Sequence, residues 1–235
     1  MQVQPGLPCR LHRPWLSVAI NRQQTLQALS WHYQTMQRQL PAALMNGYLS
    51  REGVTLLTLT GKDDQHFTLR LCADAFLDKE GEATLAFCDA QQTVLAEMTF
   101  TLCQVNGTAT LFIGGMQGAK AFVPHEAIQS ATKACHGLFP KRLLVEAAMT
   151  LGSALAVEQI VAVSNSTHIY RSWRYRKKKR ANCWPITTVS GRRWAANAAM
   201  TAISVCRSPC RANRWRRSPA KSAPSTAAAL PCWTA

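Results

Sequence analysis

No acidic residue follows position 170. All 12 Asp and Glu lie in residues 1–170, where 12 Lys and Arg balance them. The net charge of +15 comes wholly from seven basic residues in 171–180 and eight in 181–235. A nucleic-acid binder spreads Lys and Arg over the folded face that meets the phosphates. Residues 1–170 have no surplus to spread, which argues against a dedicated nucleic-acid-binding domain there. Long apolar runs are also missing. Pro5, Pro8 and Arg10 interrupt the N-terminus and leave no signal-peptide core. The uncharged stretch Met98–Ala119 has the length of a membrane span, which takes ~20 residues. Thr99, Thr101, Gln104, Asn106, Thr108, Thr110 and Gln117 break its apolar character. The expected location is cytoplasmic, with peripheral contact at the inner membrane through the basic run. Cys-x-x-Cys pairs are absent from the first 170 residues. Cys9, Cys72, Cys88, Cys103 and Cys135 stand singly, without a paired His. They read as buried, reduced thiols, and no metal site is expected.

Regular patterns fill the chain up to Arg180. Leu26, Leu29, Tyr33, Met36 and Leu40 recur at helical spacing and predict an amphipathic helix over Asn21–Leu40, stopped or kinked by Pro41. Strand-like runs follow at Val54–Thr60, Phe67–Cys72, Thr84–Cys88, Thr93–Leu102 and Ala109–Ile113. Asn106-Gly107 between the last two is a hairpin signal. Helices are expected over Pro124–Cys135 and Pro140–Leu155, and Ile160–Val163 in Glu158–Ser164 reads as a buried strand. The fold class is α+β: an antiparallel meander of about five strands, then helices leading to one more buried strand.

The tail differs. Residues 181–235 contain 13 Ala, 4 Trp, 4 Cys and 8 Lys/Arg, but no Asp, Glu, Phe or Tyr, and one Leu, Leu230. GC-rich coding DNA read out of frame yields this mixture. Around Cys183–Ala196 the adjacent frame can spell Leu-Ala-Asp-Tyr-Asp-Ser-Phe-Trp-Ala-Ser-Leu-Gly-Gly, an ordinary amphipathic segment. The alternative is a genuine disordered basic tail. The expected division is an α+β domain over 1–180, C-terminally incomplete, and a poorly ordered tail over 181–235.

Three segments carry a family resemblance. Ile113–Gly118 (Ile-Gly-Gly-Met-Gln-Gly), His136–Leu144 (His-Gly-Leu-Phe-Pro-Lys-Arg-Leu-Leu) and the stretch from Ala162 to Lys179, ending Arg-Ser-Trp-Arg-Tyr-Arg-Lys-Lys-Lys, resemble the VirK/YbjX family of enterobacterial proteins. The likeness runs from about Trp15 to Arg180. Family members continue with a Tyr-Asp-x-Phe-Trp-x-x-Leu-Gly-Gly-like segment, which the hidden frame permits. The resemblance implies a bacterial cytoplasmic or membrane-associated protein linked to virulence, surface-protein localisation and antimicrobial-peptide resistance. It implies no established chemistry and no agreed catalytic residues, so enzymatic activity stays open.

Gly114, Gly115 and Gly118 are expected in a loop between strand and helix, with Lys120 close by. Such a loop presents backbone N–H groups to a phosphate, or is a tight turn needing positive φ. The order of meander, Gly/Gln loop, helix, strand, Asn and Tyr resembles GNAT-type N-acyltransferases. That resemblance implies acyl-CoA as cofactor, with Gly115, Gln117, Gly118 and Asn165 around it and Tyr170 among the catalytic candidates; Lys120 joins the cofactor-binding candidates as the cation beside the loop. His136 and His168 are the general-base candidates, each set against a structural histidine. Arg171, Trp173, Arg174, Tyr175, Arg176, Lys177, Lys178, Lys179 and Arg180 interleave charge and rings. They suit an anionic membrane surface first, then an envelope protein, RNA or a CoA phosphate. The alternative is a solvated basic face whose rings pack on the domain.

The out-of-frame reading makes a direct prediction. Sequencing the gene around codon 180 should find the family's C-terminal segment in the adjacent frame. Losing that segment uncovers apolar core surface, and a few hundred Å² at ~25 cal/mol per Å² is several kcal/mol. Limited proteolysis should therefore trim this chain quickly near Arg180 and show a weaker core than the frame-restored protein. A resistant tail with an equal melting temperature would overturn the reading.

Overall fold

Asn21 opens helix α1 (Arg22–Gln39) with a capping box. Its side chain accepts the Gln24 N–H, and its own N–H donates to the Gln24 side chain. The computed structural model describes residue 4, residues 6–73 and 77–176, and the backbone of 203–207. The buried face of α1 holds Thr25, Ala28, Leu29, His32, Thr35 and Met36, whereas Leu26 is 56% exposed. The face is thus rotated from the apolar stripe, because His32 docks onto the sheet. Pro41 does end α1, but it also precedes a second helix, α2 (Ala42–Leu49), which the sequence pattern does not announce.

Strands β1 (Val54–Thr60), β2 (His66–Cys72), β3 (Ala83–Asp89), β4 (Val94–Val105) and β5 (Thr108–Gly118) pair antiparallel in chain order, the expected meander. Asn106 and Gly107 take φ of 53° and 79°, as a tight hairpin turn requires. Helices α3 (His125–Ala134) and α4 (Pro140–Ala154) then carry the chain across to β6 (Gln159–Val163), which lies parallel to β5 over Thr110–Ile113. Two antiparallel neighbours need only a short turn. A parallel pair needs a crossover, and α3 and α4 supply it.

The centre of the sheet is covered on both faces. Leu111 and Ile113 join the main core with Phe87, Phe100, Leu144 and Ala148, while Phe112 between them joins Trp15, Leu16, Leu29, Val161 and Val163 on the other side. Helix α4 covers the first face. The N-terminal segment and the start of α1 cover the second. Of the single cysteines, Cys88 and Cys103 are buried as expected; Cys72 and Cys135 are half-buried, and Cys9 is exposed.

Five residues of the tail, Ile203–Arg207, form strand β7 antiparallel to β6. The run departs from the expectation of a tail without strand pattern, since β-branched Ile203 and Val205 alternate there and β6 offers a free edge. The remainder of 181–235 lies outside the described residues, as do the expectations about it.

A chain of buried hydrogen bonds ties α1, α2 and β4 to Glu82, the residue before β3. The His32 Nδ1 accepts the Leu102 N–H at 3.1 Å, so its proton sits on Nε2 and is donated to Tyr48 Oη at 3.0 Å. Tyr48 in turn donates to the Glu82 carbonyl at 3.0 Å. His32 is fully buried, and burial pushes its pKa from 6.5 down to about 3. Between those values the unfolded chain binds a proton that the folded chain does not, so stability is lost as pH falls. From pH 7 to pH 5.5 this one group should remove about 1 kcal/mol. Urea unfolding at the two pH values checks it, and the pH difference should shrink in His32→Gln.

Candidate anion-binding face

The glycine segment is not a loop. Gly114–Gly118 lie inside β5, whose ladder to β4 runs on to the Ala96–Gly118 pair. Gly114 is the extra residue of a bulge between the Thr99–Gly115 and Phe100–Ile113 pairs. None of Gly114, Gly115 and Gly118 has positive φ. The first two are there for close approach: a Cβ on Gly114 would overlap the Glu80 carbonyl, and one on Gly115 would overlap the Glu80 carboxylate. Gln117 donates to that carboxylate at 3.2 Å, and Lys120 donates to Glu97 at 2.8 Å. The groups expected to cradle a phosphate are thus engaged with the protein's own carboxylates. Gly118 lies under the Lys141 side chain.

The two candidate histidines belong to different parts of the fold. His136 is exposed with φ of 55°, just beyond the end of α3, which packs on Gly61 between β1 and β2. His168 is half-buried, bridges to Ser17, and accepts the Tyr170 N–H on Nδ1 at 3.3 Å. The rings of His168 and Tyr170 lie 5.2 Å apart. Asn165, in the turn after β6, is exposed. The structure therefore brings His168 and Tyr170 together and leaves His136 apart.

The basic–aromatic run divides by environment. After a 3-10 turn at Ile169–Arg171 comes the short helix α5 (Trp173–Arg176). Tyr175 is half-buried, edge-on to Tyr170 at 6.1 Å and with the Lys79 ammonium 5.9 Å from its ring centre. Trp173 points outward, 83% exposed, between exposed Arg171 and Arg174. The Arg176 side chain and Lys177, Lys178, Lys179 and Arg180 lie outside the described residues. The segment is tied to the N-terminus: Arg174 Nη1 donates to the His12 carbonyl at 3.1 Å, and Ser17 Oγ donates to the Thr167 carbonyl at 3.0 Å. A cavity of about 430 Å³ opens between them, with Arg10, Arg13, Trp15, Arg22, Ser172 and Trp173 among its walls.

The N-terminal half of this face is not anticipated from sequence, where Pro5, Pro8 and Arg10 read only as interruptions of an apolar run. The signal was local: Arg10, His12, Arg13 and Trp15 repeat, within six residues, the basic and aromatic mixture of 171–176. Three ion pairs set their position. Arg10 Nε donates to buried Glu82 at 2.8 Å and Nη1 to Asp78 at 3.1 Å, and Arg13 pairs with the same Asp78.

Residues 1–184 match the family model described as a protein of unknown function, DUF535. The chain belongs to this family. It is the VirK/YbjX family of the sequence resemblance: over 176 residues the chain is 52% identical to the uncharacterized protein YbjX of Escherichia coli strain K12. That stretch is 75% of this chain and 53% of the relative, so the match spans about half of the curated relative's length. The DUF535 match extends four residues past Arg180, where the composition changes.

The glycine seat is testable. Gly115→Ala must displace the Glu80 carboxylate and should cost about 1–3 kcal/mol. Gly118→Ala meets only ordinary contact at 3.5 Å from Lys141, and should stay within about 0.5 kcal/mol. Melting temperatures of the two variants decide whether the glycines serve packing.

Proposed function

We propose that this DUF535 member is a peripheral accessory factor of the bacterial envelope. It binds an anionic lipid surface through the face built by Arg171–Arg176 and the N-terminal segment. In the cell it contributes to surface-protein localisation, antimicrobial-peptide resistance and virulence. The observation that carries the binding reading is the outward indole of Trp173, 83% exposed between two exposed arginines. A globular surface gains nothing from such a ring in water. At a lipid interface the ring enters the headgroup layer while Arg171 and Arg174 meet phosphates, each basic residue contributing about 1 kcal/mol. Among the described residues no helix is long and apolar enough to cross a membrane, so contact through a surface patch is the form that this region supports.

A second reading is an acyl-CoA-dependent transferase. One observation favours it: β5 and β6 run parallel only as far as Ile113 and Ala162, after which β5 continues to Gly118 without β6. Leu16 and Glu80 pack directly on Gly114 where the strands part, and this places the reading second.

Co-sedimentation with vesicles tests the lipid reading. The chain should bind phosphatidylglycerol-containing vesicles and not pure phosphatidylcholine. Binding should weaken in salt. Joint Arg171→Gln, Trp173→Ala and Arg174→Gln substitution should weaken it about tenfold or more. Unchanged binding in that variant would sink the proposal.

A further inference from the structure

We infer that the outer edge of β1 is the contact of a twofold dimer, in which β1 of one copy pairs antiparallel with β1 of a second. This contact is independent of the lipid-surface reading.

β1 stands first in the strand order, and among the described residues it pairs with β2 alone. An edge strand presents a row of unpaired N–H and C=O groups. Proteins guard such rows with charged side chains, proline, a bulge or a covering element. β1 carries no charge and no proline: Val54–Thr60 reads Val-Thr-Leu-Leu-Thr-Leu-Thr. Val54, Thr55, Thr58 and Thr60 are β-branched and suit a paired strand. Thr55, Leu57, Thr58 and Thr60 are exposed, Leu57 to 48%. Leu57 and Thr58 are consecutive and so point to opposite faces. Neither face is therefore covered at the centre of the strand. The one guard is a bulge at Leu56, between the Thr55–Arg70 and Leu57–Leu69 pairs. Beyond it Leu57–Thr60 pair with β2 without a break, which leaves that half of the edge regular.

Charge names the occupant. Arg51 and Glu52 precede the strand, and Lys62, Asp63 and Asp64 follow it. All five are exposed, and none forms an ion pair among the described residues. In an antiparallel pair with its axis near Leu57, the start of each strand lies beside the end of the other. Arg51 and Asp63 are equally far from Leu57 along the chain, and so are Glu52 and Lys62. Arg51 of one copy thus comes to Asp63 and Asp64 of the second, and Glu52 to Lys62. Symmetry makes each pairing twice, and the two Leu57 side chains meet at the axis. Only a strand with this same order of charges is complementary to both ends of β1, and a second copy supplies it. The contact uses the same surface on both copies, so it closes at two. Arg171 and Trp173 follow β6, far along the strand order from β1, and are left available for other contacts.

Sedimentation velocity of the full-length chain from about 1 to 100 μM tests the dimer, since an edge contact of this size gives a weak complex. The chain should pass from monomer to dimer over that range, and salt should weaken the association. Leu57→Lys sets two like charges at the axis and should weaken it about tenfold or more. Glu52→Lys and Lys62→Glu should each weaken it severalfold, and the double exchange should restore it. These side chains are exposed, so the melting temperature of the monomer should stay unchanged in every variant. A monomer at all concentrations would overturn the proposal. So would a dimer indifferent to Leu57→Lys, or a double exchange that fails to restore what the single ones lose.

Discussion

Glu82 joins four parts of the chain at one buried point. Its carboxylate receives Arg10 from the N-terminal segment and Tyr33 from α1, its carbonyl receives Tyr48 from α2, and its N–H reaches Phe100 and Thr101 on β4. Burial pushes the carboxyl pKa up, and Arg10 with Tyr33 offsets only part of that rise. A buried charge is tolerable only with this degree of satisfaction. The arrangement also decides where the N-terminal segment lies. Without Arg10 on Glu82 and Asp78, residues 6–13 would lose their buried polar anchor and keep only Arg13 on Asp78 and the Arg174 bond to the His12 carbonyl at the surface.

Carboxylates elsewhere occupy places that an exogenous anion could take. Glu80 sits on Gly114 and Gly115 with Gln117 donating to it, and Glu97 holds Lys120. Small residues, amide donors and a lysine near a strand end are the ingredients of a phosphate cradle. They are also the ingredients of a seat for a buried glutamate. The two uses differ in whether the acceptor comes from the same chain, and only tertiary structure tells them apart.

The sheet was legible in the sequence because alternation is a local property. The β1 bounds agree with the pattern, β2 differs by one residue, and Asn106-Gly107 marks its hairpin directly. The start of α4 at Pro140 was equally plain. What escaped depends on contacts far apart in the chain. Helix α2 was hidden behind Pro41, whose fixed φ serves the approach to a helix as well as the end of one. β5 outran its apolar stretch because β4 continues alongside, so that glycines read as a loop are strand. On the candidate face, Trp173 and its arginines were visible as composition. Arg13, Trp15 and Arg22 were not, since their partners lie at Asp78 and near Ser172.

The cavity's two walls come from opposite ends of the described domain. Ser17 and Thr167 are 150 residues apart, and His12 and Arg174 are 162 apart. Contacts of such separation form late, because the whole intervening loop must first be ordered. During synthesis at ~5–20 residues per second, roughly 10–30 s pass between the emergence of His12 and that of Arg174. Trp15 and Leu16, fully buried at the end, spend that interval without the strand and turn that cover them. This face is therefore strongly dependent on co-translational protection, and the ribosome-bound chain acquires it only after β1 to β6 have emerged.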